Sequence, residues 1–158
     1  MSTYTQILYQ IVYSTWNREQ TLNVKNREEL FKYIWGILKN KKCHLYRIGG
    51  ISDHLHILTH IHLTISLASL VKDIKLASNE YIKNTNLFPK FTCWQEACLS
   101  KPRRRQGYAA FTYAFKDKNR LIEYVKNQET HHHLKTFKEE LLDLLSEHGI
   151  EFDEKYLL

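Results

Sequence analysis

Midway along the chain two short β-rich runs, His44 to Ile51 and His54 to Ile61, stand on either side of Ser52-Asp53, a small polar pair suited to a tight turn. A hairpin at that place constrains the rest, because a helical pattern precedes it and another follows. Before it, Asn26 is placed to cap a helix carrying Leu30, Ile34, Ile37 and Leu38 at helical spacing, with lysines 39, 41 and 42 at its carboxyl end. After it, Ser66 is placed to cap a longer helix reaching about Asn84, with Leu70, Val71, Ile74, Ala77 and Tyr81 on one stripe. A strand lies within Tyr4 to Trp16, where Ile7, Tyr9, Ile11 and Tyr13 alternate with polar or smaller neighbours, and another spans Tyr108 to Phe115. Two helices, Asp117 to His133 and Thr136 to Glu147, close the chain.

The order strand, helix, strand, strand, helix, strand predicts an α+β fold of the ferredoxin-like, split βαβ kind. Its antiparallel sheet carries helices on one face, with an additional C-terminal helix. A length of 158 residues suits a single domain, 1–158, with a sizeable core, and two prolines and five glycines exclude a linker-like chain. No stretch approaches the roughly 18 apolar residues of a membrane span, and the amino end lacks the pattern of a secretory signal. The expected compartment is the cytoplasm. Three cysteines, Cys43, Cys93 and Cys98, are odd in number and lack the second pair of a zinc site, so they read as reduced thiols.

The net charge of +6 is unevenly spread. Lys101, Arg103, Arg104 and Arg105 fall within five residues, whereas seven acidic residues face two lysines between Lys138 and Lys155. A polyanion would meet the first region and avoid the second.

His54-Leu55-His56 is the most informative triplet, since residues i and i+2 of a strand share a face and two imidazoles about 7 Å apart at Cα can grip one divalent ion. The same pair could equally fill a polar sheet face. Tyr124 and Gln128 stand four apart on a helical pattern, so a phenol and an amide oxygen project together, either into a core or into a site. Two histidines and a Gln oxygen form a mixed shell that leaves positions open for phosphate oxygen and water, as Mg²⁺ or Mn²⁺ chemistry requires.

Rival histidines exist. His60-Ile61-His62 repeats the triplet, but His60 lies about 20 Å along an extended strand from His54, so both pairs cannot hold one ion. His131 and His132 fall seven and eight residues beyond Tyr124, roughly on its face, and could assist a metal or a phosphate. A His-x-His-x-His hydrolase pattern fails at Leu58, and His62-Leu63-Thr64 has no second copy to make a paired phosphoesterase.

Gly49-Gly50, Asp53-His54-Leu55-His56-Ile57-Leu58, Ile65-Ser66-Leu67, Leu70 to Lys75, Trp94-Gln95, Gly107 to Phe111, Tyr124 to Gln128 with His131-His132, and Tyr156-Leu157-Leu158 together resemble one family. It is that of the insertion-sequence transposases acting on single-stranded DNA, the single-tyrosine members of the histidine-hydrophobe-histidine (HUH) nuclease class. The resemblance implies a metal-dependent transesterase that binds hairpins at element ends and cleaves and rejoins DNA through a 5′-phosphotyrosine. It implies Tyr124 as nucleophile and His54, His56 and Gln128 as ligands of Mg²⁺ or Mn²⁺. It further implies a homodimer associated with DNA, and DNA contacts from Lys72, Lys75 and Lys83.

The Lys101 to Arg105 loop departs from the family pattern, in which Trp94-Gln95 runs almost directly into Gly107-Tyr108. Its four charges, with Trp94 and Tyr108 as stacking rings, suit phosphate and unpaired bases. Two other readings compete: a non-catalytic nucleic-acid-binding module on the same fold, and a metal-dependent nuclease without a protein-bound intermediate.

Overall fold

The computed structural model describes residues 2–98 and 107–154. The chain runs β1 (Leu8–Ser14), α1 (Val24–Asn40), β2 (His44–Gly50), β3 (His54–His60), α2 (Leu67–Thr85), β4 (Ala109–Tyr113), α3 (Lys118–Lys126), α4 (Gln128–His132) and α5 (Phe137–Glu147). All pairings are antiparallel and the strand order is β2-β3-β1-β4, the ferredoxin-like order. The helix expected at Asn26 instead begins after Asn23, whose side chain accepts from the Asn26 amide; Ser66 caps α2 at the predicted place. The long helix expected over Asp117 to His133 breaks at Asn127, between α3 and α4.

The period-two alternation of β1 and β3 sorts their side chains between two faces. Ile11, Tyr13, Leu55 and Ile57 turn toward α1 and α2, where they meet Leu30, Ile34, Leu38, Leu70, Val71 and Ile74 in one apolar core. Each fully buried aliphatic side chain there contributes about 1.5–3 kcal/mol. The other face carries Gln10, Val12, His54, His56 and Leu58, and α3 to α5 cover it. Leu121 of α3 packs on Leu8 and Leu58, while Leu144 and Leu145 of α5 pack on Val12 and Phe111.

Gly49 explains how closely α3 approaches. A Cβ at that position would run into the Val125 carbonyl, so only glycine lets the helix lie against β2. A Cβ on Gly50 would strike the His54 carbonyl across the turn. Arg27 of α1, nearly buried, ties the same corner together by donating to the Leu22 and Gly50 carbonyls and to Glu129 of α4.

The structure pairs Cys93 with Cys98, correcting the expectation of reduced thiols for these two, while Cys43 is a free, buried thiol. The turn between them, with Ala97 N–H donating to the Trp94 carbonyl and Glu96 at a positive φ, brings their Cα atoms to 5.5 Å. Counting cysteines carries no information about such local geometry. Among the described residues, no helix is long and apolar enough to cross a membrane.

Candidate active site

The sheet places His54 and His56 on the face beneath α3 to α5, both with no exposed surface. Each ring is oriented through Nδ1. Asp53 Oδ1 lies 2.6 Å from His54 Nδ1 and accepts its proton, which leaves the lone pair of Nε2 pointing into the site. Gln10, diagonally across on β1, meets His56 Nδ1 with its amide nitrogen at 2.8 Å and accepts from Tyr113 Oη at 2.8 Å. In that orientation His56 carries its proton on Nε2. Turning the amide end for end would present its oxygen to Nδ1 and free the Nε2 lone pair, while Tyr113 Oη accepts instead.

From the covering layer come Tyr124, Gln128, His132 and Glu140. Leu121 and Val125 are buried on α3, and this packing turns Tyr124, one helical turn from Leu121, toward His56, with ring centroids 5.8 Å apart. Gln128 still lies against Tyr124 despite the break at Asn127, its Nε2 donating to the Tyr124 carbonyl at 3.3 Å. Tyr124 thus faces the histidines of its own chain. His132 donates from Nδ1 to the Lys135 carbonyl at 2.8 Å, so its Nε2 is also a lone pair directed inward.

Glu140, 2% exposed, sits at the centre. Oε1 accepts from Tyr124 Oη and from Gln128 Nε2 at 3.3 Å, and lies 3.3 Å from His56 Nε2. Oε2 lies 2.7 Å from His132 Nε2 and 3.4 Å from His54 Nε2. Sequence reasoning missed this residue, although a signal existed: Glu140 stands three after Phe137 and four before Leu144, within the apolar stripe of α5. Phe137 itself stacks on the His54 ring, with centroids 4.2 Å apart.

Burial works against the Glu140 charge, but the imidazoles of His132, His54 and His56 that surround it outweigh burial and hold the carboxyl below the usual range. Burial also pulls His54 down, yet Asp53 and Glu140 raise it overall, whereas His56 is lowered by its burial. Tyr124 is pushed up by burial and then by the Glu140 charge, so the phenol keeps its proton in this arrangement.

The donor set fits a divalent cation. One nitrogen or oxygen atom from each of His54, His56, His132 and Glu140 lies within 4.8 Å of the others. Ligands held about 2.1 Å from a Mg²⁺ ion are about 3 Å from one another, close to the 2.7 to 3.4 Å separations around Glu140. His54 Nε2, His56 Nε2 and Glu140 Oε2 are buried without a hydrogen-bond partner, a state that a shared cation relieves. The Gln128 oxygen, 3.0 Å from His132 Nε2, stands beside this group.

Other predicted residues fare differently. His60 bonds the Ile7 carbonyl at the end of β3, and His62 pairs with Thr64, both away from the site. Trp94 is fully buried against Tyr13 and Phe91 and offers no face to a base, a correction to its expected stacking role. Lys75, 4% exposed, is corrected likewise: it donates to the Gln95 and Gly107 carbonyls and is no phosphate contact. Burial brings its pKa down to about 8. Lys72 and Lys83 are exposed on α2, and Tyr108 is 40% exposed. Lys101, Arg103, Arg104 and Arg105 lie outside the described residues.

A ferredoxin-like sheet with a histidine-hydrophobe-histidine strand, and a tyrosine helix laid against it, defines the class: an HUH tyrosine transposase, an enzyme. The family described as IS200-like transposase matches residues 3–128, and the chain belongs to that family. No curated protein matches it. Among solved structures it is similar to a candidate transposase from Deinococcus radiodurans R1, with a TM-score of 0.57 and 17% identity over 81% of this chain and 95% of that one. It is also similar to a REP-associated tyrosine transposase bound to a REP hairpin, with a TM-score of 0.56 and 15% identity over 84% of this chain and 74% of that one.

Proposed function

We propose that the chain, acting as one domain over 1–158, is a metal-dependent transposase for single-stranded DNA, with Tyr124 as nucleophile. The observation that carries this reading is the meeting of Tyr124 Oη with the inward-facing nitrogens of His54 and His56 around one buried carboxylate. Tyr124 Oη forms a bond to the phosphorus as the bond to O3′ breaks; the phenol loses its proton and the 3′ oxygen gains one. The product is a 5′-phosphotyrosine and a free 3′-hydroxyl, and the reverse step on another strand rejoins DNA without a nucleotide triphosphate.

His54, His56, His132 and Gln128 are the residues that would hold Mg²⁺ or Mn²⁺, around the place that the Glu140 carboxylate now fills. When bound, the cation polarises the scissile phosphate. Asp53 and Gln10 keep the two strand imidazoles turned inward, and Gln128 braces the Tyr124 helix end. DNA hairpins at element ends are the substrate, as the hairpin bound by the similar REP-associated protein supports. The working unit is a homodimer in the cytoplasm, each copy holding one DNA end, with Lys72, Lys83, Tyr108 and the Lys101, Arg103, Arg104 and Arg105 cluster as backbone and base contacts.

The test is incubation with Mn²⁺ and a labelled hairpin oligonucleotide copied from the DNA flanking its gene, followed by denaturing gel electrophoresis. A protein-DNA adduct is expected, dependent on metal and absent in Tyr124→Phe, whose melting temperature stays close to that of the unaltered chain. An adduct that survives Tyr124→Phe would mean that another residue is the nucleophile.

A further inference from the structure

The two strand histidines of this site are covered, while Tyr124 is only half-buried. His54 and His56 have no exposed surface, yet a phosphodiester must reach both them and Tyr124 Oη. The group in the way is the Glu140 carboxylate: Oε1 touches the nucleophile and faces His56, and Oε2 faces His54 and His132. Two anionic oxygens on one central atom, directed at a nucleophile and at cation-binding nitrogens, are also what a phosphodiester presents with its non-bridging oxygens. Both cannot be there together, since two anionic groups within contact distance repel strongly in a site shielded from water.

α5 is attached in a way that permits removal. Its apolar hold on the sheet is Leu144 and Leu145 against Val12 and Phe111 and Phe137 stacked on the His54 ring, with Leu141 and Leu142 partly buried. Apart from Glu140, the hydrogen bonds of its side chains among the described residues are local: the Thr136–Glu139 capping box and the Lys135–Asp143 pair.

Building on the transposase reading, we propose that α5 is a gate whose latch, Glu140, occupies the position of the scissile phosphate, so that the arriving DNA strand displaces Glu140 and lifts α5 from the Val12–Phe111 face. His54, His56, His132 and Gln128 stay behind as the cation-binding groups. A phosphate oxygen takes the place that the carboxylate vacates.

The experiment compares Glu140→Ala with the unaltered chain, using the labelled flanking-DNA hairpin and Mn²⁺. Binding is read by anisotropy in a Tyr124→Phe background, and adduct formation with Tyr124 intact. With the open form at about a tenth of the population, removing the latch tightens apparent binding by about tenfold and speeds the adduct similarly. Asp143→Asn, which removes a charge from the exposed side of α5, should not do so. Hydrogen exchange of residues 137–147 in the Tyr124→Phe chain should rise when the oligonucleotide is added.

Weaker binding or a slower adduct in Glu140→Ala would overturn the gate and make Glu140 a required group. No change, an equal gain in Asp143→Asn, or protection of α5 by DNA would overturn it too. If the unaltered chain forms an adduct and only these effects are missing, the gate alone fails. If neither protein binds the hairpin or forms an adduct, the transposase reading falls with it.

Discussion

The two faces of the sheet are built from alternate residues of the same strands and bury them equally, yet to opposite ends. Leu55 and His56 are neighbours on β3, each with no exposed surface. Leu55 joins an apolar core beneath α1 and α2, whereas His56 enters a layer of imidazoles, amides, a phenol and a carboxylate beneath α3 to α5. Burial on the first face is rewarded by the transfer of apolar surface from water. On the second it leaves buried nitrogens and an oxygen without partners, which costs stability until a cation or proton is shared among them. One face holds the fold, and the other keeps reactive groups dry and oriented.

The largest effects should separate these neighbours. Leu55→Ala is expected to lose about 2–5 kcal/mol of unfolding free energy, the cost of a cavity in a packed core, while Mn²⁺ affinity of the folded protein is retained. His56→Ala should do the reverse, weakening Mn²⁺ binding by at least about tenfold with a smaller loss of stability, since it removes a ligand and also relieves an unpartnered buried nitrogen. Urea titration and Mn²⁺ titration calorimetry on both variants check this. If His56→Ala proved the more destabilising and left Mn²⁺ binding intact, the division of labour between the faces would be wrong.

The elements are legible in the sequence because period and capping are local properties. Ser66 marks the start of α2, and the i, i+2 spacing of His54 and His56 is enough to put them on one face. Tyr124 and Gln128 meet as an i, i+4 pair even though the helix breaks at Asn127, because one residue of altered ψ hardly changes which way four-residue neighbours point. Glu140 is not legible in this way. Its role depends on α5 folding back across the sheet, a long-range choice, although an acid inside an apolar stripe is a visible sign. Trp94 and Lys75 mislead for the converse reason. Their residue types suit a DNA surface, but the turn at Cys93–Cys98 folds Trp94 inward, and Lys75 meets two carbonyls there.

Lys75 is the exception on the apolar face, and it gives the comparison a pH dependence. Its pKa is lowered to about 8 from an ordinary 10.5, chiefly by burial, with Glu96 opposing the shift. Between those values the unfolded chain binds the proton more tightly than the folded one, so stability rises with pH through that window. The penalty is full below about pH 8, amounts to about 3 kcal/mol, and is gone above about pH 10.5. Unfolding free energies of the unaltered chain relative to Lys75→Met should therefore improve between about pH 7.5 and about pH 10 by up to about 3 kcal/mol. A difference that stays flat across that range would show that Lys75 is not charged in a dry environment.

The smallest expected effect probes the other face at its edge. Thr136 starts α5, accepting from the Glu139 amide while the Glu139 carboxylate accepts from the Thr136 N–H, and nothing in this box touches the site. Thr136→Ala should weaken α5 by about 1 kcal/mol, the usual value of such a cap. If α5 were simply part of the active structure, that loss would lower hairpin affinity or leave it alone. As a gate it must be opened before DNA binds, so a weaker helix lowers the cost of opening. Affinity should then rise, up to about fivefold, for a loss of about 1 kcal/mol in closed-state stability. The sign of a small change in hairpin binding thus tells whether the polar face is a finished site or a covered one.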